Sequence, residues 1–153
     1  MQRKNKETKK IFDGSKIKIA IVVAKFNADI TEKMFQGALD TLQTNKVKKN
    51  NIEIVRVPGA YEIPLTCQKL AQTKKYDCLV AIGCVIKGDT DHYYYISQEV
   101  SRGIMDVMLK FSLPIGFGVI TVNNLKQAKD RANEKCNKGK EAAEAALEMI
   151  AKF

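Results

Sequence analysis

The stretch from Cys78 to Gly83 reads CLVAIG, an uninterrupted apolar run that is soon followed by the polar sequence KGDTDH at residues 87–92. A short continuous apolar run predicts a strand that is buried on both faces. Beyond the polar sequence, apolar side chains recur at helical spacing, at Ile96, Val100, Ile104, Val107, Met108 and Phe111. The change from strand to helical period predicts a strand, a loop and a helix in succession.

Three further apolar runs lie on either side of this unit, at Ile17–Ala24, Ile52–Val57 and Ile115–Val122. Helical periodicity fills the remaining intervals. Its marker residues are Met34, Phe35, Ala38, Leu39 and Leu42; Cys67, Leu70 and Ala71 behind a first-turn Pro64; Leu125, Ala128 and Ala132; and Ala142, Ala145, Ala146, Met149 and Ile150. The stretch 137–139, Asn-Lys-Gly, predicts a break or kink between the last two helices.

Strand–helix alternation predicts a parallel sheet, because parallel neighbours need a crossover connection and that crossover is right-handed. Continuously apolar strands indicate that helices cover both faces of the sheet. We therefore expect one α/β domain over residues 13–153, a three-layer αβα sandwich with a central parallel sheet. In such sheets, ligands bind beyond the carboxyl ends of the strands.

The net charge of the 153-residue chain is +9, and much of it lies at the start. Residues 1–12 predict a basic, flexible N-terminal arm, since five cationic residues accompany a single acidic one among the first ten (5 − 1 = +4). Such an arm could touch nucleic acid or an acidic partner, but a solvated arm is the favoured interpretation. The remaining charge is spread without interleaved aromatic residues, so no nucleic-acid partner is expected.

Composition and cysteine spacing indicate a cytoplasmic globular protein. The chain is 45% hydrophobic and 28% charged, which excludes a disordered chain, and no apolar run approaches the ~20 residues of a membrane span. No secretory signal is evident. The cysteines predict small buried apolar residues in a reducing compartment: Cys67, Cys78, Cys84 and Cys136. Because His92 is the only histidine, no metal site is expected.

Informative residues cluster where each predicted strand ends. The first strand leads into residues 25–27 (KFN), the second into 57–64 (VPGAYEIP), and the third into 83–92 (GCVIKGDTDH). The fourth strand contains Phe117 and Gly118, and the helix after it is expected to carry Arg131 and Lys135. These segments meet at one edge of a parallel sheet, which predicts a ligand site there.

Each candidate has two interpretations. The loop with Thr90 suits an anion at a helix start, or is a plain capped loop whose aspartates oppose an anion. The neutral-range pKa of histidine suits proton transfer at His92, although a lone surface histidine is common. Glu62 could bind polyol hydroxyls or serve as a first-turn glutamate. Phe26 and Phe117 could stack on a flat heterocycle or belong to the core.

Taken together, these segments resemble the lumazine synthase family over nearly the whole chain, from about Phe12 to Ile150. The resemblance rests on 25–27, on 57–64, on Gly83 through His92, on Phe117-Gly118, on Arg131 with Lys135, and on 137–143. It implies a flavodoxin-like fold and the condensation of a ribitylated aminouracil with a butanone phosphate. No cofactor is implied, since imine formation, phosphate loss, ring closure and dehydration need neither metal nor redox group.

The resemblance also implies the residues of the pyrimidine pocket. Phe26 would stack on the ring, and the ring with its ribityl chain would be held by Ala60, Tyr61 and Glu62. The polar edge of the heterocycle would meet mainly backbone groups of Cys84, Val85 and Ile86.

The phosphate side follows from the same resemblance. Asp89 and Thr90 would bind the phosphate of the butanone substrate, mostly through main-chain N–H groups, and His92 would transfer protons. Residues matching Phe117 and Arg131 come from the neighbouring subunit in this family. Phe117 would close the ring pocket, and Arg131 would grip the phosphate through two parallel hydrogen bonds.

Assembly is expected to be a homopentamer. The family forms five-membered rings, and the segment 96–111 is apolar over most of its circumference once Tyr93, Tyr94, Tyr95 and Met105 are included. A sixty-subunit shell is also possible in this family, but the kink at 135–139 is one residue short. Lys25 and Lys87 depart from the usual arginine, which keeps the charge without the planar fork.

Two rival functions stay open at this point. A Cys–His hydrolase would use Cys84 as nucleophile with His92 as its base, and would need a third orienting group. A non-catalytic assembly protein on the same fold would use the basic arm instead.

Overall fold

The computed structural model describes residues 12–153, so the predicted N-terminal arm lies almost entirely outside the described part of the chain. Four strands form one parallel sheet in the order β2-β1-β3-β4. The strands are β1 (Ile19–Ala24), β2 (Ile52–Val57), β3 (Cys78–Ile86) and β4 (Ile115–Val122). The helices are α1 (Ala28–Thr44), α2 (Ile63–Gln72), α3 (His92–Phe111), α4 (Leu125–Asp130) and α5 (Lys138–Lys152). Short 3-10 turns occupy Lys49–Asn51 and Ala60–Glu62.

Two apolar cores, one on each face of the sheet, confirm the predicted three-layer αβα sandwich of flavodoxin-like type. Alternate residues of β1 and β3, such as Ile21 and Val80, pack with α1, α4 and α5. The other set, such as Val22 and Ala81, packs with α2 and α3. This division follows from the twofold alternation of side chains along a strand.

The strand bounds differ from the predictions at two places. β1 begins at Ile19 instead of Ile17, because the Ile17 N–H closes a turn on Gly14 O at 3.0 Å. β3 continues three residues beyond Gly83, to Ile86, since β4 provides a ladder partner up to the Ile86–Val122 pair. β2 and β4 have the predicted bounds.

Continuous burial of every strand was expected, and β2 contradicts it. The β1 strand is buried throughout, whereas Glu53, Ile54 and Arg56 of β2 are exposed. β2 lies at the edge of the sheet, where the described helices cover it incompletely. Position in the sheet therefore overrides the apolar character of this run.

The last helix begins earlier than predicted. Asn137 is its N-cap and accepts the Lys140 N–H at 3.0 Å, so Lys138 and Gly139 belong to the first turn instead of forming a break. A β-carbon built on Gly139 would come within 1.8 Å of Met34 O. The glycine therefore allows the backbone of α5 to approach α1 closely.

This close approach also rotates the buried face of α5. Ala142 and Ala146 are buried as predicted, but Ala145 and Met149 are exposed, and the remaining buried positions are Gly139, Ala143 and Leu147. A helix face chosen from periodicity alone can be wrong by one residue when a local contact fixes the rotation.

The segment after β4 is less helical than expected. α4 ends at Asp130, so Arg131 is its C-cap residue and Lys135 lies beyond it. Ala132 is nevertheless buried against the α1 side of the core.

Three of the four cysteines, Cys67, Cys78 and Cys84, are buried as predicted. Cys136 is only half-buried and lies in the connection before α5, which contradicts its assignment to an apolar element. Within residues 12–153, no helix is long and apolar enough to cross a membrane.

Candidate active site at the carboxyl edge of the sheet

The ends of β1 and β2 are joined by backbone hydrogen bonds. Lys25 N donates to Val57 O at 2.8 Å, and Phe26 N donates to Pro58 O at 3.0 Å. These bonds hold Phe26 beside the Pro58–Gly59 turn, with its side chain 70% exposed. An exposed phenylalanine with a fixed backbone is suited to stack on a flat ring.

The 3-10 turn after Gly59 carries three of the predicted site residues. Ala60 is buried beside Gly83, whereas Tyr61 is 60% exposed. Glu62 accepts the Gly59 N–H through Oε2 at 3.0 Å, so this carboxylate also fixes the turn. The structural interpretation of Glu62 is thus correct, and its second carboxylate oxygen stays available to hydroxyl groups.

The third strand extends past the first, and this leaves part of its backbone without a neighbouring strand. The β1–β3 ladder stops at the Val23–Ile82 pair, while the β3–β4 ladder continues to Ile86. Asn27 Nδ2 donates to Cys84 O at 2.9 Å across this gap. Successive residues of a strand direct their polar groups to opposite edges. The backbone N–H and C=O groups of Cys84 and Ile86 are therefore directed towards the gap.

Val85 lies between these two residues in the strand, and its backbone is directed towards β4 instead. Its side chain belongs to the core under α3. The resemblance assigned the same backbone role to all three residues, but the geometry suits only Cys84 and Ile86 to that role.

Asn27 is a further candidate site residue, for which the sequence predicted no role. Its backbone is left-handed, with φ 58°, at the turn between β1 and α1. Asparagine tolerates this conformation better than most residues. The sequence feature that could have indicated this role is an asparagine immediately before a helix that follows a buried strand.

The loop after β3 is open to solvent. Asp89, Thr90 and Asp91 are exposed, and the N-cap residue Asp91 makes no side-chain cap hydrogen bond. The Thr90 hydroxyl accepts the His92 N–H at 3.4 Å, which is a long bond. The Asp91 side chain therefore does not cap α3, and the loop interpretation rests on Thr90 alone. Gly88 has no positive φ, and a β-carbon there would meet nothing within 4 Å, so the loop does not require a glycine at this position.

His92 is the first residue of α3, and its side chain is exposed at the same edge of the sheet. The loop thus brings His92 and Thr90 together, next to the end of β3. An exposed imidazole at this place can reach a ligand that lies over the uncovered edge of β3.

Phe117 lies far from this edge within one chain. It pairs with Ala81 in the register of β3 and β4, five residues before Ile86. At about 3.3 Å per residue, this places it roughly 16 Å back along the sheet. Its side chain is 47% exposed. The structure therefore does not bring Phe117 to the site of its own chain.

Arg131 lies on the opposite side of the sheet from α3. Its neighbours Ala128 and Ala132 pack in the α1–α5 core, whereas His92 begins a helix on the other face. The guanidinium Nη1 donates to Gln127 O at 3.0 Å, which leaves other donors of the fork for a ligand. Within the described residues, no hydrogen bond or ion pair joins Arg131 to residues 87–92.

A large groove of the described chain lies away from this edge. It measures about 1580 Å³ and runs between α1 and α5, and none of the candidate site residues lines it. At the carboxyl edge, Phe26, Tyr61 and Thr90 are exposed in a single chain. In residues 12–153, no three His, Cys, Asp or Glu side chains are grouped so as to hold a metal ion.

Cys84 is poorly suited to nucleophilic catalysis. Its side chain is 3% exposed, and burial raises the pKa of the thiol to about 11, with a smaller contribution from the nearby Asp29. At neutral pH only about one thiol in ten thousand would be the reactive thiolate. This low thiolate fraction weighs against a Cys–His hydrolase with Cys84 as its nucleophile.

We expect iodoacetamide at pH 7.5 to label Cys136 well before Cys84, because Cys136 is half-buried while Cys84 is enclosed. Labelling of Cys84 should rise as the pH approaches 11, since deprotonation creates the nucleophile. Peptide mass spectrometry of the time course measures both rates. Fastest labelling at Cys84 would contradict this expectation and favour the hydrolase.

The sheet defines a flavodoxin-like α/β protein, and its carboxyl edge carries a candidate small-molecule site built from strand ends and an adjoining helix start. The family model for 6,7-dimethyl-8-ribityllumazine synthase matches residues 16–153. The chain belongs to the 6,7-dimethyl-8-ribityllumazine synthase family. Membership identifies a transferase-type enzyme of riboflavin biosynthesis that acts on small-molecule substrates.

Proposed function

We propose that the protein condenses 5-amino-6-(D-ribitylamino)uracil with 3,4-dihydroxy-2-butanone 4-phosphate to 6,7-dimethyl-8-ribityllumazine, releasing phosphate and water. This is the penultimate step of riboflavin biosynthesis, carried out in the cytoplasm by residues 13–153 without a cofactor. The observation that carries the proposal is the uncovered edge of β3 between Phe26 and the loop with His92. Family membership supplies the reaction class.

The pyrimidine binds against the ends of the first three strands in this proposal. Phe26 stacks on the ring, and the backbone groups of Cys84 and Ile86 bond its polar edge. The ribityl hydroxyls lie along Ala60 and Tyr61 and bond the free oxygen of Glu62. Support comes from the exposed ring of Phe26 and from the gap that β1 leaves beside β3.

The ketone phosphate binds at the start of α3. Main-chain N–H groups near Asp89 and Thr90 hold the phosphate, since a helix N-terminus favours anions. Arg131 of a neighbouring subunit adds a bidentate contact. Inorganic phosphate should occupy the same place when substrate is absent.

The reaction then proceeds by orientation and proton transfer. The 5-amino group attacks the ketone and water leaves, which forms an imine. Elimination expels the phosphate, and the ribitylamino nitrogen closes the ring with loss of a second water. His92 moves the protons of these steps, worth about 10²–10⁴-fold in rate. Holding two substrates together provides much of the remainder.

The proposed active unit is a homopentamer with sites shared between neighbouring subunits. Phe117 lies about 16 Å from its own site along the sheet and therefore completes the site of another chain. The face of α2 and α3 exposes large apolar side chains that an interface would bury: Leu65, Tyr95, Met105 and Leu109. Exposed apolar surface of this extent is typical of an oligomer contact.

The direct test is to mix purified protein with both substrates and to follow the fluorescence of the lumazine product. We expect product with wild-type protein and a loss of about 10²-fold or more in the His92→Asn variant, because only proton transfer is removed. The matched control is Gln98→Ala, at an exposed polar position on the same helix. Absence of product with folded wild-type protein would overturn the proposed function.

A further inference from the structure

The loop between β3 and α3 is weakly held by its own residues. A β-carbon on Gly88 would meet nothing within 4 Å, and Asp91 does not cap the helix. Within the loop, the Thr90 hydroxyl provides only a long bond of 3.4 Å to the His92 N–H. A phosphate site that depends on main-chain N–H groups needs a more definite conformation than these contacts supply.

Lys87 links the two ends of this loop. Its N–H donates to Val122 O at 2.8 Å, which fixes the residue to the end of β4. Its Nζ donates to the Tyr94 hydroxyl at 3.0 Å, in the first turn of α3. Tyr94 is itself oriented by an edge-on contact with Tyr93, whose ring centroid is 5.3 Å away, and its N–H donates to Asp91 O at 3.0 Å.

The Lys87 ammonium also supplies positive charge near the Asp91 carboxylate, which opposes an anion at this loop. The hydrogen bond to Tyr94 raises the pKa of Lys87, and the Asp91 carboxylate acts in the same direction. The ammonium lies 5.2 Å from the Tyr94 ring centroid but only 3.0 Å from its hydroxyl oxygen. It is therefore held at the hydroxyl end of the ring, close to the loop.

We propose that Lys87 and Tyr94 form a positioning pair for the phosphate ester of the ketone substrate. The bond between them closes the segment 88–93 into one conformation, and the ammonium offsets the charge of Asp91. This inference rests on the proposed function, but the closure of the loop is a property of the protein without substrate.

The decisive variant is Tyr94→Phe, which removes the hydroxyl and keeps the ring. We expect the KM for the ketone phosphate to rise about three- to fivefold, as for loss of an exposed charge-assisted bond, with kcat and the KM for the pyrimidine within about twofold. Amide hydrogen exchange of residues 88–92 should rise by a similar factor without substrate. Tyr76→Phe is the matched control, because it also removes a tyrosine hydroxyl that donates a hydrogen bond, here to Glu53, but near the start of β3 at the opposite edge of the sheet.

Two further comparisons keep the proposal open to refutation. Lys87→Met should match Tyr94→Phe in hydrogen exchange, and the double variant should add little, because both remove one bond. Unchanged exchange in both single variants would show that the pair does not hold the loop. Raised exchange with an unchanged KM for the ketone phosphate would refute the positioning role. If wild-type protein forms no product, the exchange data still decide whether the loop is closed by this pair.

Discussion

Mixing two inactive variants, His92→Asn and Arg131→Ala, is expected to restore activity. In a shared site, His92 comes from one subunit and Arg131 from its neighbour, so a random mixed ring contains some interfaces with both residues intact. With equal amounts, about one quarter of the interfaces should be complete. Each variant alone should retain about 1% of wild-type turnover or less. Turnover of the mixture, measured after the subunits have exchanged, tests the expectation.

The double variant His92→Asn/Arg131→Ala, mixed with wild-type protein in equal amounts, is the matched control. About one quarter of those interfaces should also be complete, because an intact site then requires two wild-type neighbours. Demonstrated exchange without recovered activity, or an active species that sediments as a monomer, would refute the shared site. Such a result would require Arg131 to reach residues 87–92 of its own chain.

Replacing Gly139 with alanine is expected to destabilise the fold by about 3 kcal/mol or more, at the upper end of overpacking costs. A β-carbon would lie 1.8 Å from Met34 O and 2.5 Å from its carbonyl carbon, and both are backbone atoms of α1 that cannot move as a side chain can. The helices must therefore separate along the contact between α1 and α5. Urea unfolding followed by circular dichroism measures the change in the free energy of unfolding.

Gly88→Ala is the control for this substitution. It adds the same methyl group at a position where nothing lies within 4 Å. Its free energy of unfolding should stay within about 0.5 kcal/mol of wild type, as for other surface substitutions. Equal stability of Gly139→Ala and Gly88→Ala would mean that α1 and α5 do not pack as described.

Much of the fold was predictable because buried strands and helices require apolar residues at regular spacing, which is visible in the local sequence. The runs at β2 and β4 had the observed bounds, and Pro64 was correctly placed in the first turn of α2. The buried face of α5 could not be predicted from the spacing of apolar residues. Its rotation depends on Gly139 meeting Met34, a contact across about one hundred residues of chain that periodicity does not encode.

The candidate site, too, was predictable only in part from the sequence. Motif order was enough to place Phe26, Glu62 and His92 at one edge, because parallel strands end on the same side of a sheet. It did not distinguish Cys84 and Ile86 from Val85, since that distinction requires the offset of β3 relative to β1. The pairing of Lys87 with Tyr94 was missed for a similar reason.

By itself, the sequence determined the strand–helix order, the parallel sheet, the edge at which the candidate site residues lie, and the family. These follow from side-chain periods and from motifs, which are properties of neighbouring residues. Only the tertiary structure decided that Phe117 lies about 16 Å from its own site, that Arg131 lies across the sheet, and that Gly139 is a contact instead of a kink. Each of these depends on the register and packing of segments that are distant in the sequence. The distance between two such segments is fixed only when strands pair and helices pack, and local sequence patterns do not encode it.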